Sequence, residues 1–183
     1  IIGAGKVGST LASLLYARGY TVQVVYSRTS GHAGTLARLV GAQRVARAAD
    51  VVAACDLTLL AVSDDALASV ASDLAVGELA GRAVVHTSGA YGADVLAPLA
   101  ARGAMIGSLH PAFPFADVQT AMRRLPGATF AVEAESAVLR HWLIELVAAL
   151  EGRVLIVPKG KKALYHAALV FASNYTVTPY ALA

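Results

Sequence analysis

The chain opens on Ile1-Ile2-Gly3-Ala4-Gly5-Lys6-Val7-Gly8, an apolar strand end running into the spacing G-x-G-x-x-G. No other stretch limits the fold as much, because each glycine answers a separate steric demand. Gly3 makes the tight turn off a parallel strand, Gly5 lets the backbone approach a pyrophosphate, and Gly8 lets the next helix pack closely on that strand. Leu11, Leu14 and Leu15 follow at helical spacing, and Gly19 is placed as the stop. A helix begun here turns unpaired N–H groups and the positive end of its dipole toward a phosphate. The order strand, glycine loop, helix therefore predicts a dinucleotide-binding unit with Gly3, Gly5, Lys6, Val7 and Gly8 around the pyrophosphate. A simple packing turn is the alternative.

The 183 residues suffice for one domain or one and a fraction, and with 57% hydrophobic and 15% charged residues they supply a large core. The net charge is +3, yet the fifteen Lys and Arg are scattered apart from Lys159, Lys161 and Lys162. That leaves no basic face with interleaved aromatics for a nucleic acid. A lone Cys55 excludes an intramolecular disulfide and fits a reducing, cytoplasmic setting. No signal-peptide pattern is read at the start, and Ile1-Ile2 is too short for a whole strand, so the start is expected to be trimmed. Residues 163–183 carry no Asp, Glu, Lys or Arg and are long enough to cross a bilayer. But His166, Ser173, Asn174, Thr176, Thr178 and Pro179 would face lipid at a cost, so a helix buried between domains or subunits is expected instead. No metal site is expected.

Along the chain, Thr21–Tyr26 reads as a second strand, β-branched and aromatic after a glycine. It empties into Ser27-Arg28-Thr29-Ser30, where an NAD-selective site would carry an acid for the ribose 2′-OH. An arginine fork with hydroxyls suits a 2′-phosphate, so NADP is the expected cofactor; a solvated surface turn is the bland alternative. A helix is expected over Leu36–Ala49, and Leu57–Val62 reads as a central parallel strand. Val62, Ser63 and Asp64 then lie at the cofactor edge of the sheet, although capping of the helix Ala66–Leu74 also explains Ser63, Asp64 and Asp65. Strands Ala83–His86 and Ala104–Leu109 each deliver a histidine to that same edge, His86 before Thr87-Ser88-Gly89 and His110 before Pro111-Ala112-Phe113-Pro114. His86 is a further cofactor contact in this reading. Two such histidines, with Ser88 beside a glycine and Phe113 or Phe115 as a wall, predict a polar substrate pocket.

Gly127–Val132 and Arg153–Val157 read as strands flanking a helix over Ser136–Leu150, which completes an α/β, Rossmann-type, doubly wound and mostly parallel sheet over residues 1–158. After Pro158-Lys159-Gly160 the pattern becomes one helix, taken as the first of a helical C-terminal domain over 159–183. Lys162, Tyr165, His166, Ser173, Thr176 and Tyr180 fall within roughly 60° of one line on it, with Asn174 at the edge. Buried polar groups need partners, so this stripe faces either another polar surface or a pocket. Pro179 is expected to kink or end the helix.

The blocks G-A-G-K-V-G, S-R-T, A-V-S-D-D, H-T-S-G-A, L-H-P-A-F-P-F and K-A-L-Y-H-A-A-L-V-F-A-S-N together resemble a bacterial family of NADP-binding Rossmann-like oxidoreductases with a helical C-terminal domain of unknown function. That family is similar in layout to 3-hydroxyisobutyrate dehydrogenase, pyrroline-5-carboxylate reductase and ketopantoate reductase. The glycine loop is generic to all of them; the H-T-S-G, H-P-x-F-P and Y-H-A-A blocks are the specific part. The resemblance implies a helical domain continuing past Ala183 and a homodimer formed through it. The expected activity is NADPH-dependent reduction of a carbonyl, or of an imine, in a small anionic metabolite such as a 2-oxo acid. Lys162 and His166, one helical turn apart, are the candidate proton donors, and Ser88, His110 and Asn174 would orient the substrate. A protein that binds NADP as a sensor or assembly factor, without turnover, is the competing expectation.

Overall fold

The computed structural model describes the backbone of residues 1–181 and the side chains of residues 1–172. From the glycine loop, the order is α1 (Lys6–Ala17), β1 (Val24–Val25), α2 (Ser30–Leu39), β2 (Gln43–Arg44), α3 (Ala48–Ala54), β3 (Leu57–Leu60), α4 (Asp64–Leu74) and β4 (Ala83–His86). A 3-10 turn (Ala93–Leu96) then leads into α5 (Ala97–Ala100), β5 (Met105–Pro111), α6 (Val118–Arg124), β6 (Thr129–Ala134), α7 (Ala137–Ala149), β7 (Arg153–Ile156) and α8 (Lys162–Ala181).

Ile2 acts as a one-residue strand. It bridges in parallel to Tyr26 on one side and to Leu60 on the other. This joins the β2–β1 pair to the run β3-β4-β5-β6-β7, all parallel except β5 against β6. Alternate residues of the strands leave opposite faces. Leu59, Val85, Leu109, Phe130 and Val132 meet α1, α2 and α7 through Leu11, Leu36 and Leu143, while Ile2, Leu60 and Val84 meet α3, α4 and α5 through Val51, Leu67 and Leu99. Each such aliphatic, once buried, contributes about 1.5–3 kcal/mol. Helices on both faces of a mostly parallel sheet make the fold doubly wound, as expected.

Several element boundaries differ from the sequence reading. The single helix expected over Leu36–Ala49 is instead the end of α2, the strand β2 and the start of α3. Gly41, at φ 64, breaks the chain there, and the Gln43 N–H pairs with the Gln23 carbonyl of the neighbouring chain segment. The second strand shrinks from Thr21–Tyr26 to Val24–Val25, with Tyr26 held only by its bridge to Ile2. Helix α6 went unpredicted; Asp117 caps it by accepting the Thr120 N–H at 2.8 Å. Ser63 occupies the N-cap of α4 without a side-chain bond, and Asp64 and Asp65 lie in its first turn, where the helix dipole favours them. Pro179 does not end α8, which runs on to Ala181: the proline removes one donor from a ladder whose preceding turns are already made.

Candidate functional site

The glycine loop is shaped by contacts with β3. The Ile2 N–H donates to Leu59 O at 2.9 Å and the Ala61 N–H donates back to Ile2 O at 2.8 Å, which brings the two strand ends together. Gly3 turns at φ 101, and a Cβ there would stand 2.3 Å from Ala61 O. A Cβ on Gly8 would meet Gly3 O at 2.0 Å, so α1 sits directly on the turn. Gly5, the N-cap, has nothing within 4 Å of such an atom and leaves its side open. The first bond of the helical ladder at this end is Ser9 N–H to Gly5 O, so the N–H groups of Lys6, Val7 and Gly8 precede the ladder. No acid occupies that first turn.

A cleft of about 600 Å³ opens beside this loop, walled by Gly3–Gly5, by Ser27, Arg28 and Thr29 after β1, and by Val62 and Ser63 after β3. Open backbone at Gly5, unpaired N–H groups and an arginine at the far wall fit a dinucleotide with an anionic end. His32, in the first turn of α2, also lines the cleft and was missed by the sequence reading. Its signal was available, since it follows Thr29 by three residues on a helix that starts at Ser30. Arg47 lines the cleft too, but its guanidinium is engaged by Asp50. Lys6 is exposed and Gly8 is buried beneath the turn; neither is part of this wall.

Val62 and Ser63 are shared with a second cleft of about 190 Å³, lined also by Val7, Asp64, Thr87, Ser88, Gly89 and His110. Phe113 and Phe115 close one side, packed edge to face at 5.2 Å and 77°. His110 Nδ1 lies 2.9 Å from the Tyr165 hydroxyl of α8, and its Nε2 sits over Gly89, where a Cβ would approach it to 2.7 Å. Burial, reinforced by the nearby Lys162 charge, pushes the His110 pKa down to about 4, so the ring is neutral near pH 7. Burial likewise raises the Tyr165 phenol. Ser88 Oγ accepts the N–H groups of Ala90 and Tyr91, both at 3.2 Å, and keeps its own proton to donate.

His86 requires a correction. Its side chain is fully buried and belongs to neither cleft. Nδ1 accepts the Ser88 N–H at 3.2 Å, which puts the proton on Nε2, donated to Gly92 O at 3.0 Å. Desolvation pushes its pKa down to about 4. Its ring folds the loop that presents Ser88.

The α8 stripe divides as well. Lys162 is 2% exposed, and its Nζ donates to Ser108 Oγ at 2.9 Å instead of entering the cleft. Burial lowers its pKa to about 8, with Glu133 acting the other way. His166 has a buried Nδ1 with no partner among the described residues. Tyr165, on the stripe but given no role by the sequence, is the one bonded to His110. The side chains of Ser173, Asn174, Thr176 and Tyr180 lie outside the described residues.

Comparison with known proteins places this geometry in context. Residues 128–183 match a domain of unknown function, DUF2520, and residues 1–111 match a Rossmann-like domain. The sequence matches no curated protein. Among solved structures it is similar to a proposed NADP oxidoreductase from Bacteroides fragilis, at 28% identity and a TM-score of 0.81, covering 99% of this chain and 67% of that one. It is also similar in fold to an imine reductase from Bacillus cereus (22%, TM-score 0.76, 99% of this chain and 63% of that one). A reductive aminase from Aspergillus terreus in complex with NADPH and ethyl levulinate is a further likeness (21%, TM-score 0.73, 98% of this chain and 61% of that one). The chain thus spans somewhat under two thirds of the length of most such structures. With a Rossmann-like match over more than half of its residues, on a doubly wound sheet with the glycine turn at its carboxyl edge, the chain belongs to the Rossmann-like family.

Proposed function

We propose that the protein is an NADP(H)-dependent oxidoreductase that reduces the carbonyl of a small metabolite, with 2-oxo acids such as ketopantoate as the first substrates to test. The observation that carries the reading is the His110–Tyr165 pair at a small cleft that shares Val62 and Ser63 with the glycine-loop cleft. In this reading residues 1–158 bind the cofactor and 159–183 begin a helical region. The N–H groups at the start of α1, with Gly3, Gly5 and Val7, hold the pyrophosphate. Ser27, Arg28 and Thr29, joined by His32, hold the 2′-phosphate. Val62, Ser63 and Asp64 carry the cofactor on toward the second cleft. Bound there, the cofactor supplies the hydride.

The chain's own part is to orient the substrate and deliver a proton to the oxyanion that forms. A neutral histidine carries one N–H. With the Tyr165 phenol donating to Nδ1, the ring proton sits on Nε2, over Gly89 at the cleft. Nε2 gives that proton to the new alkoxide, and the phenol proton follows onto Nδ1. Ser88 donates its hydroxyl to the substrate, while His166 and Asn174 complete the α8 wall. Lys162 stands behind the pair as a supporting cation.

Imine reduction is the second reading, and one observation favours it: Asp64 is the charged group lining the small cleft among the described residues, and Lys162 is turned away onto Ser108. An acidic wall suits a protonated imine better than a carboxylate. Cytosolic placement and a homodimer through the helical region belong to the same proposal, supported by the unpaired Cys55 and by apolar surface at Leu164, Leu155 and Ile156. No helix among the described residues is long and apolar enough to cross a membrane.

The test is NADPH oxidation with a panel of 2-oxo acids, ketones and cyclic imines. Tyr165→Phe and His110→Ala should each lower kcat by about 100-fold, the range of lost general acid catalysis, with NADPH affinity unchanged. Full turnover in both variants removes the pair from the chemistry. Tight NADPH binding without turnover on any compound would leave a dinucleotide-binding sensor.

A further inference from the structure

Behind the small cleft, two ionisable side chains lie almost wholly out of water on the same face of the sheet: Lys162 at 2% exposure and Glu133 at 4%. Ser108 stands between them. It is the register partner of Glu133 across β5 and β6, and its Oγ accepts the Lys162 Nζ–H at 2.9 Å. Register partners have Cβ atoms about 4.5–5.5 Å apart, so the Glu133 side chain leaves the sheet beside the hydroxyl that takes the ammonium. His86 extends the row on the other side, as the partner of Ser108 across β4 and β5. Nothing in the proposed reaction uses Glu133, yet a carboxylate and an ammonium this deeply buried are both costly unless each answers the other.

We propose that Glu133 is a positioning residue of the small cleft: as the counter-charge to Lys162 beside Ser108, it holds the first turn of α8, and with it Tyr165, against His110. Lys162 is the anchor of that turn, with its Nζ 5.5 Å from the centre of the Tyr165 ring three residues further along. Glu133 is itself fixed, because one carboxylate oxygen accepts the Ala93 N–H at 3.1 Å. Glu133 also lines a cavity of about 440 Å³ beside Ala93, Asp94 and Lys159. Burial raises the Glu133 carboxyl and lowers the Lys162 ammonium, and each charge opposes the shift of the other. The remaining groups that act on this row are His86 from β4, Asp64 from α4, His110 from β5, Asp94 from the 3-10 turn, Glu135 and Lys159 at the sheet end, and Tyr165 and His166 from α8.

The catalytic consequence rests on the reductase reading, so the decisive measurement is made on the resting protein. In the full chain, NMR titration follows the Lys162 Nζ, the Glu133 carboxyl and the His110 ring nitrogens. Glu133→Gln should lower the Lys162 midpoint by about one pH unit, tenfold in proton affinity, and Lys162→Met should raise the Glu133 midpoint by a similar amount. Glu133→Asp, which keeps the charge on a shorter arm, should restore part of the lysine midpoint. In Glu133→Gln the His110 Nδ1 signal should also move, as the Tyr165 hydroxyl leaves it. Should Glu133→Gln not fold, Lys162→Met reads the same coupling from the other partner. Unchanged midpoints in either folded variant, or a His110 Nδ1 signal unmoved by Glu133→Gln, would overturn the proposal. Absence of turnover in the unmodified protein would instead count against the reductase reading, leaving the coupling measurement intact.

Discussion

The two clefts meet at Val62 and Ser63 and are built by opposite means. Around the larger one the backbone does the shaping: the Gly3 turn, the bare Gly5 and the close seat of Gly8 on Gly3 O create a surface of N–H groups. Around the smaller one side chains from four separate elements do it, with Asp64 after β3, Ser88 after β4, His110 on β5 and Tyr165 on α8. A backbone-built site is indifferent to most side-chain changes and intolerant of an added Cβ. A side-chain-built site has the reverse weakness, because it fails when one polar group is removed or swung aside.

The largest expected effect tests that contrast directly. Gly8→Ala sets a Cβ 2.0 Å from a backbone oxygen that cannot step aside, and should cost about 3 kcal/mol or more of folding stability, at the upper end of overpacking effects. Gly89→Ala meets the end of the His110 ring at 2.7 Å, which can rotate, so about 1 kcal/mol is expected together with loss of the Tyr165 contact. Urea denaturation of the two variants compares them; equal costs would erase the distinction between the clefts. A smaller effect concerns the anionic end of the larger cleft. Arg28→Ala should narrow the preference for NADPH over NADH by about 1–3 kcal/mol, the worth of a charge-assisted contact. Equal affinity of the unmodified protein for the two cofactors would sink that assignment.

The side-chain cleft should in turn leave a mark on stability against pH. His86 and His110 titrate at about 4 in the folded chain, below the ordinary histidine value of 6.5. Between these values the unfolded chain binds protons that the folded one refuses, so the histidine contribution to stability is undiminished above pH 6.5 and falls as pH drops toward 4. Glu133 acts in the opposite sense, since a raised carboxyl favours the folded chain at acid pH and blunts the slope there. A net loss is expected across that window, and His110→Gln should remove roughly half of it in a denaturation series. A flat profile would mean that the histidines are not shut away as described. The smallest effect belongs to His32, where substitution by Ala should weaken NADPH binding by about 0.5 kcal/mol and leave NADH unaffected, as for a single exposed polar contact.

Much of this was legible before the fold. Helix α1 and strand β4 fall where the apolar spacing put them, because a 3.6-residue or alternating pattern is a local property. Strand β2 was not legible: Gln43 and Arg44 are exposed, polar and only two residues long, and they form a strand solely because Val24 and Val25 lie alongside. Tyr165 was visible as part of a polar stripe, but nothing local distinguished it from Lys162 or His166.

The sequence by itself determined the glycine turn and the chemistry offered at its edge, since a φ of 101 at Gly3 and the space at Gly8 are demands that only glycine meets. Tertiary structure decided which histidine faces the cleft. On β4, His86 lies level with Ser108 and is sealed beneath its own loop, whereas His110, two residues further along β5, reaches the carboxyl edge. It also decided where Lys162 goes, through a bond between residues 54 apart in the chain. Periodicity says which face a side chain leaves; what waits on that face is set by the register of distant strands and the docking of a distant helix.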